Sequence, residues 1–303
     1  MLKDKEWGNI HMNNKILKVG TFFSGIGAPE KALERLKQEG YIKDYQVMFF
    51  SEIDKYAIKS YCAIHNISEN LNLGDITKLS GKDLPRCNLW IGGFPCQDIS
   101  AAGNMKGFEM ESKTRSSLGW EMIRLLKEAN NKPEYVIFEN VSMITSKKFK
   151  TTLELFKKDL KELGYTLYES VLSANDYEIP QMRKRYFLIA ILNNCKKFSF
   201  PKAINKKVCL YDLLEKDVDE KYYLTTSSYT YDNSGKRVFS NIKDSNIKYI
   251  VDYQKYLKGG VCGYNPTDKF NQTSRLFSPL GIAPTITASN TANNCKIVIE
   301  EGE

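Results

Sequence analysis

The strongest constraint on the fold is a regular alternation of short apolar runs and amphipathic stretches through the first 192 residues. Runs typical of buried strands lie at 16–23, 46–51, 88–91, 135–138, 165–172 and 185–192. Stretches with apolar residues at helical spacing lie at 29–40, 54–65, 118–129 and 149–163. This alternation predicts an α/β fold, with a doubly wound and mostly parallel sheet covered by helices on both faces.

The alternation stops at Asn193, and this divides the sequence into three parts. Residues 1–14 are an N-terminal tail, 15–193 form the α/β domain, and 194–303 form a second, smaller domain. The second domain is rich in Tyr, Thr, Asn and Ser, so we expect it to contain mostly strands and loops. Ligands of open parallel sheets bind beyond the C-terminal ends of the strands, which places the expected site in the first domain.

Composition limits the partners and the compartment. The chain has 44 Lys and Arg against 36 Asp and Glu, and its net charge of +8 suits a polyanionic partner without proving one. Its seven cysteines include no Cys-x-x-Cys pair and it has two histidines, so we expect no metal site. It has no apolar run of about 18 residues and no signal peptide, which predicts a cytoplasmic protein.

A glycine turn, Phe23-Ser24-Gly25-Ile26-Gly27, follows the first strand and opens the first helix. Such glycines let a ligand approach the backbone closely, although an ordinary tight turn has the same sequence. Glu30 stands where the dinucleotide fingerprint has its third glycine, which weakens a nicotinamide interpretation. A carboxylate-bearing cofactor without a pyrophosphate remains compatible with this turn.

Two acids after this turn are candidate cofactor ligands. Glu52 ends the second strand, 25 positions past Gly27, where a carboxylate can accept both ribose hydroxyls of a nucleoside. Asp75 could accept a hydrogen bond from an adenine amino group, or it could simply form a turn. A solvated surface acid is the alternative interpretation of Glu52.

Cys96 and Glu139 follow the third and fourth strands. Cys96 comes after a Gly-Gly-Phe-Pro turn, where a stabilised thiolate could be a nucleophile, although a lone cysteine is usually inert. His11 and His65 lie in the tail and at a helix end, which disfavours a cysteine hydrolase. Partial desolvation of Glu139 would let it share a proton with a substrate, and a structural capping acid is the alternative.

The segment Gln181-x-Arg183-x-Arg185 precedes the last strand. Strand alternation would place these three side chains on one face. Two fixed guanidiniums suit a phosphate or an anionic intermediate, although each arginine taken singly is more often part of a solvated strand edge.

Taken together, these segments closely resemble the DNA cytosine-5 methyltransferase family. The resemblance covers residues 15–192 and continues loosely to the end of the chain. It is carried by Phe23-x-Gly25-x-Gly27, residues 52–57, Gly74-Asp75-Ile76, residues 92–100, Glu139-Asn140-Val141 and Gln181-x-Arg183-x-Arg185. It implies a Rossmann-like methyltransferase with S-adenosylmethionine as cofactor, double-stranded DNA as partner, and a target-recognition domain at 194–303.

The resemblance also implies residue roles. Cys96 is the nucleophile that attacks a flipped-out cytosine, and Glu139 contacts the ring nitrogen and amino group of that base. The implied catalytic set is Cys96, Glu139, Arg183 and Arg185. The implied cofactor set is Phe23, Gly25, Gly27, Glu52, Ile53, Asp75 and Pro95. The implied DNA-binding set is Ser100, Arg115, Gln181, Arg275 and Thr285.

One departure from the family pattern concerns the C-terminus. Family members continue with a Gln-x-Gly-Asn motif and a final helix that completes the cofactor pocket, whereas this sequence ends at Glu303 without them. We therefore expect a missing C-terminal segment or a second chain to complete the fold. The alternatives to a DNA enzyme are a transfer RNA cytosine-5 methyltransferase and a catalytically silent, shortened DNA-binding remnant.

Overall fold

The computed structural model describes residues 16–95, 115–193, 198–204 and 208–213, together with five short strands further along the chain. The first part contains the strands β1 (Ile16–Phe22), β2 (Asp44–Ser51), β3 (Leu89–Gly92), β4 (Tyr135–Val141), β5 (Tyr165–Ser173) and β6 (Lys184–Leu192). Its α-helices are α1 (Ala28–Gln38), α2 (Lys55–His65), α3 (Gly119–Glu128) and α4 (Lys150–Glu162). Short 3-10 helices span Glu69–Leu71, Ile76–Lys78, Arg115–Leu118, Ser142–Thr145, Ala174–Tyr177 and Leu210–Leu213.

The six strands form one sheet in the order β2-β1-β3-β4-β6-β5. β1 pairs in parallel with β2 and β3, and β3 pairs in parallel with β4. β6 is antiparallel to β4. The prediction of a doubly wound, mostly parallel α/β sheet is confirmed.

Alternating side chains of the strands build a core on each face of this sheet. On one face, Val19 of β1 packs in a cluster with Leu33 of α1. On the other face, Trp90 of β3 belongs to a larger cluster with Met122 of α3 and Phe156 of α4. Helices therefore cover both faces, because a strand period of 2 sends successive apolar residues in opposite directions.

The predicted helix at 54–65 begins as expected, because Asp54 caps it. The Asp54 carboxylate accepts hydrogen bonds from the backbone N–H groups of Tyr56 and Ala57, at 2.9 and 2.8 Å. β4 is longer than the predicted run of 135–138: it continues to Val141, which pairs with Arg185 of β6. Glu139 is therefore inside a paired strand rather than beyond its end, which corrects the sequence-based boundary.

The chain divides into two compact units. Among the described residues, the first unit contains 16–172 and 184–201, and the second contains 173–183 and those from 202 onward. The second unit includes β7 (Thr230–Tyr231), β8 (Arg237–Val238), β9 (Val261–Tyr264), β10 (Arg275–Phe277) and β11 (Lys296–Ile297). β10 lies between β9 and β11, and β7 pairs with β8. The predicted domain boundary after residue 193 stays a prediction.

Candidate functional site

The turn after β1 has a backbone shape that few residue types adopt. Phe23, Gly25 and Gly27 have φ angles of 53°, 55° and 82°, all in the left-handed region. The Gly27 N–H donates to the Ser24 carbonyl at 2.9 Å, which closes the turn, and α1 begins at the next residue. A Cβ on Gly25 would meet no atom within 4 Å, so the backbone borders open space there.

Glu52, just past the end of β2, is tied directly to this turn. Its Oε2 accepts a hydrogen bond from the Gly25 N–H at 2.9 Å. Its Oε1 accepts bonds from the N–H groups of Ile53 and Asp54, at 2.8 and 2.9 Å. These three bonds fix the orientation of the carboxylate. The structure therefore brings together the predicted cofactor residues Gly25 and Glu52, which lie 27 positions apart.

Asn72 also holds this edge of the sheet, and sequence reasoning missed it. Its Oδ1 accepts from the N–H groups of Glu52 and Gly74, both at 3.1 Å, and its Nδ2 donates to the Glu52 carbonyl at 3.1 Å. The Ser51 hydroxyl donates to the Gly74 carbonyl at 2.6 Å. The segment that leads to Asp75 is thus fastened to the end of β2.

Asp75 itself caps the short helix that follows it. Its Oδ1 accepts from the Thr77 N–H at 3.0 Å and from the Thr77 hydroxyl at 2.8 Å. These bonds, led by the one from the backbone N–H, hold the pKa of Asp75 below its ordinary value. The turn-forming role that the sequence left open is therefore present, and a role toward adenine stays a prediction.

Two large apolar side chains near these residues are exposed to solvent. Ile53, a predicted cofactor residue, is 75% exposed, and Ile26 in the glycine turn is 58% exposed. An exposed apolar side chain can contact a planar ring, and the place of Ile53 beside adenine stays a prediction. Ile26 was not singled out from the sequence.

Glu139 is on β4, and β4 lies between β3 and β6 in the sheet. A Cβ on Gly93 would lie 3.1 Å from Glu139 Oε2, so the carboxylate faces the turn after β3. On the other side, Arg185 Nε contacts Glu139 Oε1 at 2.8 Å, with the two side chains 20% and 30% exposed. This ion pair holds the carboxylate in a partly water-excluded position, where electrostatic effects are stronger than in water.

Asn140 fixes the turn that leads to Cys96. Its side chain is buried, and its Nδ2 donates to the Phe94 carbonyl at 3.1 Å, while its Oδ1 accepts from the Val141 N–H at 2.8 Å. Phe94 is buried and Pro95 is half-buried. The Glu-Asn-Val segment therefore holds the end of the Gly-Gly-Phe-Pro turn through a side chain adjacent to Glu139.

The prediction that Gln181, Arg183 and Arg185 share one strand face is wrong. β6 begins at Lys184, so only Arg185 lies in the strand. The Arg183 N–H donates to the Gln181 carbonyl at 3.0 Å, and the Gln181 N–H donates to the Ile179 carbonyl at 2.7 Å. Each of these backbone N–H groups bonds to the carbonyl two positions earlier, which makes a tight turn. Side chains in such turns do not alternate between two faces as they do in a strand. Gln181 and Arg183 belong to the second compact unit.

Five of the predicted residues have side chains outside the part of the chain that the structure describes. Cys96, Ser100 and Thr285 lie outside the described residues. Arg115 begins a short helix and Arg275 begins β10, and in both cases the backbone alone is described.

Within the described part of the chain, no group of three or more His, Cys, Asp or Glu side chains could hold a metal ion. No helix in this part is long and apolar enough to cross a membrane.

Residues 17–296 match the family described as C-5 cytosine-specific DNA methylase. The chain is 34% identical to the orphan methyltransferase M.SPRI of Bacillus phage SPR, over 94% of this chain and 66% of that protein. It is 37% identical to the type II methyltransferase M.NlaX of Neisseria lactamica, over 69% of this chain and 63% of that protein. The chain thus spans about two thirds or less of the length of these relatives.

Solved structures agree with the sequence comparisons. The S. pombe Dnmt2 methyltransferase has a TM-score of 0.55 and 27% identity, and the match covers 69% of this chain and 63% of that one. A putative DNA modification methyltransferase encoded within an E. coli prophage has a TM-score of 0.54 over 89% of this chain and 82% of that one. At 21% identity, the second match supports the fold alone. The family match extends over most of the sequence, and the chain belongs to the C-5 cytosine-specific DNA methylase family.

Proposed function

We propose that this chain transfers the methyl group of S-adenosylmethionine to carbon 5 of a cytosine in DNA, through a covalent bond to Cys96. The observation that carries the proposal is the position of Glu139. Its carboxylate faces Gly93, three residues before Cys96, and is paired with Arg185 at 2.8 Å. Membership of the cytosine-5 methylase family supports this assignment.

The residues at the carboxyl ends of β1 and β2 fit S-adenosylmethionine. The open space beside Gly25 lets a ligand approach the backbone, and the Glu52 carboxylate is an acceptor for ribose hydroxyls. Ile53 offers an apolar surface to adenine. When bound, S-adenosylmethionine supplies an electrophilic methyl group on a sulfonium.

The role of Cys96 follows from the low reactivity of cytosine. Carbon 5 is a poor nucleophile until a thiolate adds to carbon 6 and breaks the double bond between carbons 5 and 6. The displaced electron pair then makes carbon 5 nucleophilic, with negative charge spread toward ring nitrogen 3. Carbon 5 takes the methyl group and leaves the electron pair of the broken bond on the donor sulfur, which becomes a neutral thioether. Carbon 5 then loses its proton to a base, and the Cys96 thiolate leaves as the double bond re-forms.

Glu139 acts on the charge that this addition creates. A carboxyl group in contact with nitrogen 3 can hold a proton there, which neutralises the ring as the thiolate adds. The Arg185 guanidinium fixes the carboxyl orientation, and a preorganised charge contributes most where water is excluded. A cytosine in stacked DNA cannot reach such a site, so the base must be flipped out, at a cost of a few kcal/mol.

The proposal can be tested by incubating the full chain with S-adenosylmethionine that carries a tritiated methyl group. Mixed-sequence double-stranded DNA and unmodified transfer RNA are the two acceptors, and Cys96→Ser is the matched inactive variant. We expect label in DNA, recovered as 5-methylcytosine after digestion to nucleosides, and none with Cys96→Ser. Label in transfer RNA alone, label at another base, or no label with folded protein that has also been supplied with the C-terminal segment of a longer relative would contradict the proposal.

A further inference from the structure

Glu30 is a fully buried carboxylate beneath the glycine turn. It lies in the first turn of α1 and is 0% exposed. Its Oε1 accepts hydrogen bonds from the Thr21 hydroxyl and the Tyr61 hydroxyl, both at 2.8 Å. Its Oε2 is also buried, and none of the described residues bonds to it. A carboxylate is costly to bury, so this side chain reduces stability unless the bonds it accepts offset that cost.

The first of these bonds connects Glu30 to the turn through Thr21. The Thr21 hydroxyl has one hydrogen, and it is donated to Glu30. The Ser24 hydroxyl lies 3.0 Å from the Thr21 hydroxyl and 3.4 Å from the Ser51 carbonyl, so its single hydrogen is shared between these two acceptors. Ser24 lies inside the turn, between Phe23 and Gly25. Polar contacts thus connect Ser24 of the turn through Thr21 to the Glu30 carboxylate.

The second bond connects Glu30 to the other end of the turn through Tyr61 of α2. A Cβ on Gly27 would lie 3.0 Å from the Tyr61 ring, so this ring is in direct contact with Gly27. The ring also stacks on Phe50 of β2, with 4.2 Å between centroids and 21° between planes. Burial, followed by the charge of Glu30, raises the pKa of Tyr61, so its hydroxyl remains a donor.

We propose that Glu30, Thr21 and Tyr61 are positioning residues, which set the shape of the turn at residues 23–27 for S-adenosylmethionine. This inference rests on the proposed function, because it requires that the turn bind the cofactor. Glu30 holds one end of the turn through Thr21 and Ser24, and the other end through Tyr61 and Gly27. None of the three need touch the cofactor to affect its affinity.

Two tyrosines allow a matched test of this role. Tyr61→Phe removes one buried hydroxyl from the network. Tyr165→Phe removes a similarly buried hydroxyl, which donates to the Pro133 carbonyl at 2.9 Å, from an edge strand at the opposite side of the sheet. Both variants should lose some stability. In isothermal titration with S-adenosylmethionine, we expect Tyr61→Phe to bind about tenfold more weakly and Tyr165→Phe to bind within about twofold of the unmodified chain.

A second pair of variants tests the Thr21 arm independently. Thr21→Val keeps the shape of the side chain and removes its hydroxyl, whereas Thr21→Ser keeps the hydroxyl. We expect Thr21→Val to weaken cofactor binding about tenfold and Thr21→Ser to restore it to within about threefold. A purely structural role would lower the unfolding temperature in the absence of cofactor without separating the two affinities.

The outcomes separate this inference from the proposed function. In one outcome, the unmodified chain binds S-adenosylmethionine while the two variants of each pair have equal affinities for it. Equal affinities of Tyr61→Phe and Tyr165→Phe, and of Thr21→Val and Thr21→Ser, would show that the positioning role is wrong, and the proposed function would stand. If the folded, unmodified chain does not bind S-adenosylmethionine even when the C-terminal segment of a longer relative is supplied, the proposed function is overturned and this inference with it.

Discussion

The Arg185 Nε–H donates to Glu139 Oε1 at 2.8 Å and so joins the antiparallel strands β6 and β4 at the proposed catalytic site. The two residues are not directly opposite each other, because Arg185 pairs with Val141 and Glu139 pairs with Phe187. The guanidinium therefore reaches diagonally across the ladder. Its contact constrains the one carboxylate that we assign to the cytosine ring.

Removal of this guanidinium should impair chemistry more than cofactor binding. We expect Arg185→Met to lower kcat for methyl transfer about hundredfold, because Glu139 loses its orienting charge. The dissociation constant of S-adenosylmethionine should stay within about threefold of the unmodified value. Lys127→Met is a matched control, since Lys127 forms an ion pair with Asp159 at 2.7 Å between α3 and α4. Equal kcat values for the two variants would contradict the role of Arg185.

Glu52 should be required for cofactor affinity. Glu52→Ala removes a ribose acceptor and also the bond that holds the Gly25 N–H at 2.9 Å. We expect titration calorimetry to show S-adenosylmethionine binding at least about tenfold more weakly. Glu34→Ala removes a carboxylate from an ion pair with Lys31 on α1 and should leave the affinity unchanged. Unchanged affinity in Glu52→Ala would remove Glu52 from the cofactor site.

Gly27 should tolerate alanine poorly, for two reasons. Its φ is 82°, and a Cβ there would lie 2.1 Å from His65 Nε2. Gly40 has a similar φ of 79°, but a Cβ there would meet no atom within 4 Å. We expect urea denaturation to show that Gly27→Ala costs about 2 kcal/mol more than Gly40→Ala. His65→Ala should recover part of that difference, and equal costs for both glycines would refute the steric account.

A pH-dependent contribution to stability should come from Glu169 on β5. Burial raises its pKa, but bonds from Tyr186 and Lys157 outweigh burial and hold the pKa below its ordinary value. The charged form is thus favoured in the folded state. The stabilisation is complete above the ordinary pKa and is lost as the pH falls through the lowered one.

Glu169→Gln should therefore reduce the free energy of unfolding at about pH 6, and its deficit should shrink toward about pH 3. Chemical denaturation at several pH values measures this difference. Glu162→Gln replaces an exposed acid on α4 and is the control, since its contact with Lys158 spans 3.7 Å. A deficit that does not change with pH would show that the Glu169 charge contributes nothing.

Local sequence patterns predicted most of the fold. Apolar periodicity located the strands and helices, and Asp54 marked a helix start because its side chain caps its own backbone. The end of β4 was missed, because its extension to Val141 depends on pairing with Arg185, which is 44 positions away. The face shared by Gln181 and Arg185 was mispredicted, because tight backbone bonds replace the extended conformation before β6.

The identities of the site residues were more predictable than their contacts. Glu52 was found from its place after a strand, but its bond to Gly25 depends on β1 and β2 being neighbours in the sheet. Asn72 carries no local signal, since its bonds to Glu52 form only when the chain returns to β2. Glu30 stood out only as the missing third glycine, and its burial depends on Tyr61 of α2, 31 positions away, which bonds to it.

The central claim is that Cys96 bonds covalently to the target cytosine, and mechanism-based trapping tests it most directly. In DNA that contains 5-fluorocytosine, carbon 5 has no proton to lose after methylation, so the thiolate cannot leave. With S-adenosylmethionine present, we predict a protein–DNA adduct that survives denaturing electrophoresis and maps to Cys96 by mass spectrometry. Cys96→Ser should form none. An adduct that persists in Cys96→Ser, or its absence from unmodified protein that methylates ordinary DNA, would contradict the account.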